Sequence, residues 1–224
     1  MRSIQLKIIA AFCLVGLILS GIWLWTGHKS WPGLMLERQV EKDRLVPEDA
    51  LLKVWNQCIG LERTLLPGRH THYSALAAQV LADGEKFDSG QVTAALVQGL
   101  ESARHALARE PADAHAWARK AWMEYSLNGE SLRVINALRM SVYCKPAGES
   151  LIFWRIYMSG LNREFWDSDF ESLLRRQIIQ AWNISPHRLV STVEGVDMED
   201  IARQVLHAYP EDLRKFEEFI AGIE

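Results

Sequence analysis

From about residue 90 onward, apolar side chains return at every third or fourth position, the spacing of one helix face. In "DSGQVTAALVQGLESARHALARE" they fall at Val92, Ala95, Leu96, Gly99, Leu100, Ala103, Ala106 and Leu107. The spacing predicts a helix that stops before Pro111, which can neither donate a backbone hydrogen bond nor continue the turn. Upstream, "PEDALLKVWNQCIGLERTLL" starts with proline and acids, a helix beginning, and "HYSALAAQVLADGE" closes at Gly84. The tail "HAYPEDLRKFEEFIAGIE" reads as one closing amphipathic helix with Leu213, Phe216, Phe219 and Ile220 on its apolar side. Only short runs such as "RLVSTVEGV" leave helix and strand undecided.

A second regularity lies above the helical one. Gly99, Ala103, Ala106 and Pro111 are followed by Trp117 and Ala121. Small residues let two antiparallel helices approach, proline stops the first, Asp113 can cap the next, and Trp117 fills the gap between successive helix pairs. The ladder returns as Val134, Leu138, Ser141 and Pro146, then Ile152 and Ile156, and again as Leu174, Ile178, Ala181 and Pro186. Its prolines lie 35 and 40 residues apart, against about 34 in tetratricopeptide repeats. Over roughly 90–190 the chain resembles a worn tetratricopeptide array. Larger side chains replace the small ones, Lys120 stands at an apolar site, and Thr192 occupies an aromatic one. The expected fold is all-α, with a TPR-like hairpin domain over 47–224.

The N-terminus adds a different element. Arg2 and Lys7 precede an uncharged run from Ile8 to Gly27, which at about 1.5 Å per residue spans roughly the hydrocarbon core of a bilayer. A cleaved signal peptide would have a shorter apolar region ending at a small-x-small site. This one runs into Trp23, Trp25 and Trp31, residues suited to the membrane interface. Residues 8–25 are therefore expected to anchor the chain in the inner membrane, 1–27 being the anchor and 28–46 a stalk. The nearest positive charges place the short tail inside, while Arg38, Lys42 and Arg44 weigh the other way. With the tail inside, the body lies outside, in the periplasm of a bacterial host.

Composition narrows the chemistry. The 224 residues carry 25 Lys and Arg against 28 Asp and Glu, so there is no chain-wide basic footprint for nucleic acid. Cys58 and Cys144 form the one pair outside the anchor, either bridged or as two free thiols. His70 and His72 in "RHTHY" meet one metal only in a loop, and no third ligand accompanies them. His105 and His115 flank the Pro111 turn beside Glu110 and Asp113, but the register puts His115 in the first turn of a helix whose inward residue is Trp117. No GxSxG, GxxxxGK or HExxH occurs. No reaction, cofactor or metal is expected.

Two kinds of side chain remain for binding. Arg104, Arg119, Arg133, Arg139, Arg155, Arg175 and Arg176 can form bidentate contacts with carboxylates or phosphates, or simply stay solvated and paired, as Glu171 with Arg175. Trp117, Trp122, Trp154 and Trp182 suit a helical core better than sugar stacking. Trp166, in "NREFWDSDFE", is either an exposed partner anchor or a hydrophobic staple at a helix start.

A narrower resemblance covers "AHAWARKAW", "VINALRMSVYCKPAG", "LIFWRIYM" and "LLRRQIIQAW". Trp117, Ala118, Arg119, Ala121 and Trp122, then Ala137, Leu138, Arg139 and Ser141, carry its first half. Phe153, Trp154 and Arg155, then Arg175, Arg176, Gln177, Ile178, Ala181 and Trp182, carry the second. These stretches resemble small membrane-anchored repeat proteins associated with bacterial exopolysaccharide and O-antigen synthesis. The resemblance implies a setting and no catalytic residues. The expected function is a non-enzymatic scaffold or assembly factor for protein partners in the cell envelope. The alternatives are an envelope chaperone, a respiratory-complex assembly factor, or a module that binds polysaccharide.

Overall fold

A computed structural model describes residues 89–222 continuously, together with scattered helical positions between 14 and 78. The chain divides into two compact units, Met1–Ser102 and Ala103–Glu224, a division that falls inside the span 47–224. In the first unit, most of the anchor at 8–25 lies outside the described residues, as do His70, His72 and Cys58. Four of the anchor's described positions, Leu14, Leu17, Ile18 and Leu24, are helical and exposed. Among the described residues no helix is long and apolar enough to cross a membrane. In the stalk, residues 31–36 are helical.

Among the described residues the structure is all-α. Helix α1 (Ser89–Arg109) ends before Pro111, and α2 (Ala114–Asn128) starts behind Asp113. The Asp113 carboxylate accepts from the backbone N–H groups of His115 (2.9 Å) and Ala116 (3.1 Å), two of the donors a helix start leaves unpaired. Gly129 ends α2 at φ 72°, a conformation that suits glycine. There follow α3 (Leu132–Cys144), α4 (Glu149–Gly160), a 3-10 turn (Arg163–Phe165) and α5 (Ser168–Ile184), whose N-cap is Asp167. Then come α6 (Pro186–Glu194), α7 (Glu199–Leu206) and α8 (Pro210–Ile220). The undecided run "RLVSTVEGV" thus lies mostly in α6.

From α2 to α8 each helix packs on the next and on the one after that. The ladder residues are what they bury: Ala121, Val134, Leu138, Ser141, Ile152, Ile156, Leu174, Ile178 and Ala181 are all 2% exposed or less. One apolar cluster joins Ala121, Val134, Leu138, Met158 and Phe170, with Trp117, Trp122 and Trp154 at its edge. A second runs from Ile152 and Trp182 through Leu189 and Ile201 to Phe216. Leu213, Phe219 and Ile220 pack against it, as the tail's apolar side predicts.

Where α4 ends, close approach dictates the residue. A methyl group on Gly160 would sit 2.4 Å from Val196 Cγ2 and 2.8 Å from Met198 Sδ. Gly160→Ala is therefore expected to cost about 1–3 kcal/mol through overpacking, read as a lower midpoint in urea unfolding. An unchanged midpoint would mean that the turn at 196–198 yields freely.

Candidate functional site

The helix ends of the second unit organise its polar chemistry. A helix leaves its last carbonyls without intrahelical donors, and at the C-terminus of α3 the missing donors come from Arg155 on α4. The Arg155 guanidinium, 1% exposed, donates from Nη2 to Ser141 O (2.7 Å) and from Nη1 to Lys145 O (3.0 Å). Its Nε reaches Ser141 Oγ (3.1 Å) and its Nη1 reaches Gln177 Oε1 on α5 (3.2 Å). Ser141 Oγ donates in turn to Ala114 O on α2 (2.7 Å), and Gln177 Nε2 to Pro146 O (2.7 Å). Burial pulls the Arg155 pKa down to about 10, which still leaves it charged at neutral pH. Among the described residues no carboxylate pairs with it. The negative end of the α3 dipole and the carbonyl oxygens around it compensate the charge instead.

Burial corrects the surface reading of two arginines. Arg155 lies inside the fold, tied to helix ends, and Arg119 is only 8% exposed. Ser141 of "ALRMS", Arg155 of "FWR" and Gln177 of "RRQI" are far apart in sequence and meet in one buried cluster that joins α3, α4 and α5.

Trp166 bridges the end of α4 and the start of α5. Its indole Nε1 donates to Ser159 O at the end of α4 (3.0 Å), and its ring lies 6.4 Å from that of Phe170 in the first turn of α5. The half-buried ring packs against both apolar clusters. Asn162, fully buried, works beside it, donating to Met158 O (2.9 Å) and accepting from Ser131 N (3.1 Å).

No family model matches this chain, and neither does any curated protein or solved structure.

α3 and α5 hold Arg133, Arg139, Arg175 and Arg176, of which Arg133 is exposed at the start of α3. Arg139 pairs with Asp167, lies 3.4 Å from Asp169 Oδ2, and stacks over the Phe170 ring at 5.9 Å. Asp167 accepts the Phe170 N–H (2.8 Å) as well. That backbone bond, followed by the Arg139 guanidinium, holds its carboxyl below the usual range. Tyr143 donates its hydroxyl to Asp169 Oδ2 (3.0 Å), and this bond to a carboxylate raises the phenol's pKa. Arg175 pairs with Glu171 at 2.7 Å and also reaches Gln204 (3.0 Å). Arg176 is exposed and lines a groove of about 300 Å³ with Val142, Tyr143, Pro146, Leu173, Gln177 and Gln180.

Most of that groove is missing from a reading by residue type, since Val142, Leu173 and Pro146 resemble any core or turn residue. The available signal is spacing: Leu173, Arg176, Gln177 and Gln180 recur at three and four residues along α5 and so share a face. Elsewhere, Cys144 is a half-buried free thiol whose Sγ lies 3.5 Å from Pro111 O. Burial, reinforced by Asp113, pushes its pKa up, away from thiolate chemistry. His115 is half-buried in the first turn of α2. Among the described residues no group of His, Cys, Asp and Glu is arranged to hold a metal ion.

Proposed function

We propose that this chain is a membrane-anchored, non-enzymatic scaffold that holds a protein partner in the cell envelope through a worn tetratricopeptide-like array. The observation that carries the reading is the order of packing. Each helix from α2 to α8 lies on the next and the next but one, and the residues between them are those of the sequence ladder. Helix pairs added in register expose long outer surfaces, which repeat proteins use to bind other chains. The uncharged run over 8–25, whose described positions Leu14, Leu17, Ile18 and Leu24 among others are helical and exposed, supports an inner-membrane anchor with the body in the periplasm. Exopolysaccharide or O-antigen production is the setting implied by the sequence resemblance. An anchor would confine the body to the bilayer and raise its effective concentration near membrane partners.

The test has two readouts. The full chain should remain in the membrane fraction after alkaline wash, and a chain lacking residues 1–27 should be released. Cross-linking followed by capture from solubilised envelopes should recover a stoichiometric protein partner. Release of the full chain by the wash would remove the anchor, and recovery of the chain alone would count against the scaffold.

A further inference from the structure

Of the four arginines on α3 and α5, two are neutralised within the fold, Arg139 by Asp167 and Asp169, and Arg175 by Glu171, while Arg133, exposed at the start of α3, does not line the groove. Arg176 is exposed and, among the described residues, has neither an ion pair nor a hydrogen-bond acceptor. Its surroundings are apolar: Val142 and Leu173 form a floor, with Pro146 and the exposed Tyr143 ring at the sides. The polar groups beside it are largely committed already. Both Gln177 ends are bonded, to Arg155, Pro146 and Gln180, and the Tyr143 hydroxyl is bonded to Asp169. What the groove offers a visitor is one cation, the Gln180 amide nitrogen, and a strip of hydrocarbon.

We propose that this groove between α3 and α5 binds an acidic, apolar peptide segment of the scaffold's protein partner, setting a carboxylate on Arg176 and an aliphatic side chain on Val142, Pro146 and Leu173. An unpaired guanidinium presents a fork of donors that matches a carboxylate, and the strip beside it gains from covering by an apolar side chain. A sugar fits less well. Its ring of hydroxyls needs many donors and acceptors, and leaving them unpaired against hydrocarbon is costly. The proposal rests on the scaffold reading and supplies its recognition chemistry.

The experiment uses the full chain in detergent micelles and fluorescence anisotropy of a fluorescein-labelled octapeptide alternating Leu and Glu. Saturable binding is expected. It should weaken about tenfold, equivalent to about 1.4 kcal/mol, in Arg176→Glu, and should be unchanged in Arg214→Glu, an exposed charge on α8. Peptides with Gln for Glu, or Ser for Leu, should each bind several-fold more weakly. The advantage of Glu over Gln should shrink as salt screens the contact. Equal affinity for the Glu and Gln peptides, or an Arg176→Glu chain that binds like wild type, would overturn the proposal. So would Arg176-dependent binding of tetragalacturonate without peptide binding, which would hand the groove to an acidic sugar. Partner capture is run on the same two chains. Equal capture by wild type and Arg176→Glu sinks the groove alone, whereas capture by neither sinks the scaffold and leaves the peptide titration to decide the groove.

Discussion

Arg155→Ala is expected to lower the unfolding free energy by about 3–5 kcal/mol, because each buried acceptor left without a donor costs about 1–3 kcal/mol. The substitution strips donors from Ser141 O, Lys145 O and Gln177 Oε1 at once. It also opens a void where a large, fully buried side chain stood. Ser141 O keeps one partner, the Lys145 N–H at 3.3 Å, so the total falls short of three full penalties. Arg155→Met separates the two contributions, since it refills much of the volume and restores no hydrogen bond. Its loss should lie between wild type and Arg155→Ala. Urea unfolding followed by circular dichroism measures both. A loss under about 1 kcal/mol for Arg155→Ala would mean that water or relaxed backbone satisfies the carbonyls, and Arg155 would not be what ties α3, α4 and α5 together.

The second large effect belongs to Trp182, 4% exposed at the end of α5. Its ring meets Phe216 and Phe219 of α8, each at 6.1 Å between centroids. Trp182→Ala should cost about 3–5 kcal/mol, the range for deleting a large buried aromatic. The loss should be uneven. With this aromatic contact gone, α8 should open on its own, so that its amides exchange with solvent well before those of α3 and α4. If α8 exchanged at the same rate as in wild type, Trp182 would not be what holds it.

Much of the fold is legible in the sequence because the ladder is a packing code. Pro111 and Asp113 mark the turn between α1 and α2 within a residue or so, since proline and an N-cap act locally. Leu213, Phe216, Phe219 and Ile220 mark the buried side of α8 through simple helical spacing. Arg155 escapes such reasoning, because arginine is rarely buried and the helix end it serves lies on another element. Its neighbours held the clue. Arg155 sits inside "LIFWRIYM", and Ile152, Ile156 and Met158 around it are all buried, so an arginine on that helix has little open surface to reach. Trp166 is equally hard to place from sequence, because its indole bond goes to Ser159 O, seven residues away across a turn. The groove at Arg176 was half visible, as a cation without its apolar strip, because that strip is assembled from two helices.

The last helix also has an outer side, and it is of a different character. Phe216 faces inward, fully buried, while Glu211, Arg214, Lys215 and Glu217 are exposed. Arg214 is paired with Glu218 and Arg203 with Glu217 at 2.8 Å. A repeat array is held together by apolar faces that any similar face can extend, so an open end invites head-to-tail growth between molecules. Here a newcomer would have to strip water from a row of charges. The charges on that side of α8 are thus held by one another, and any apolar face laid against it has to strip water from them first.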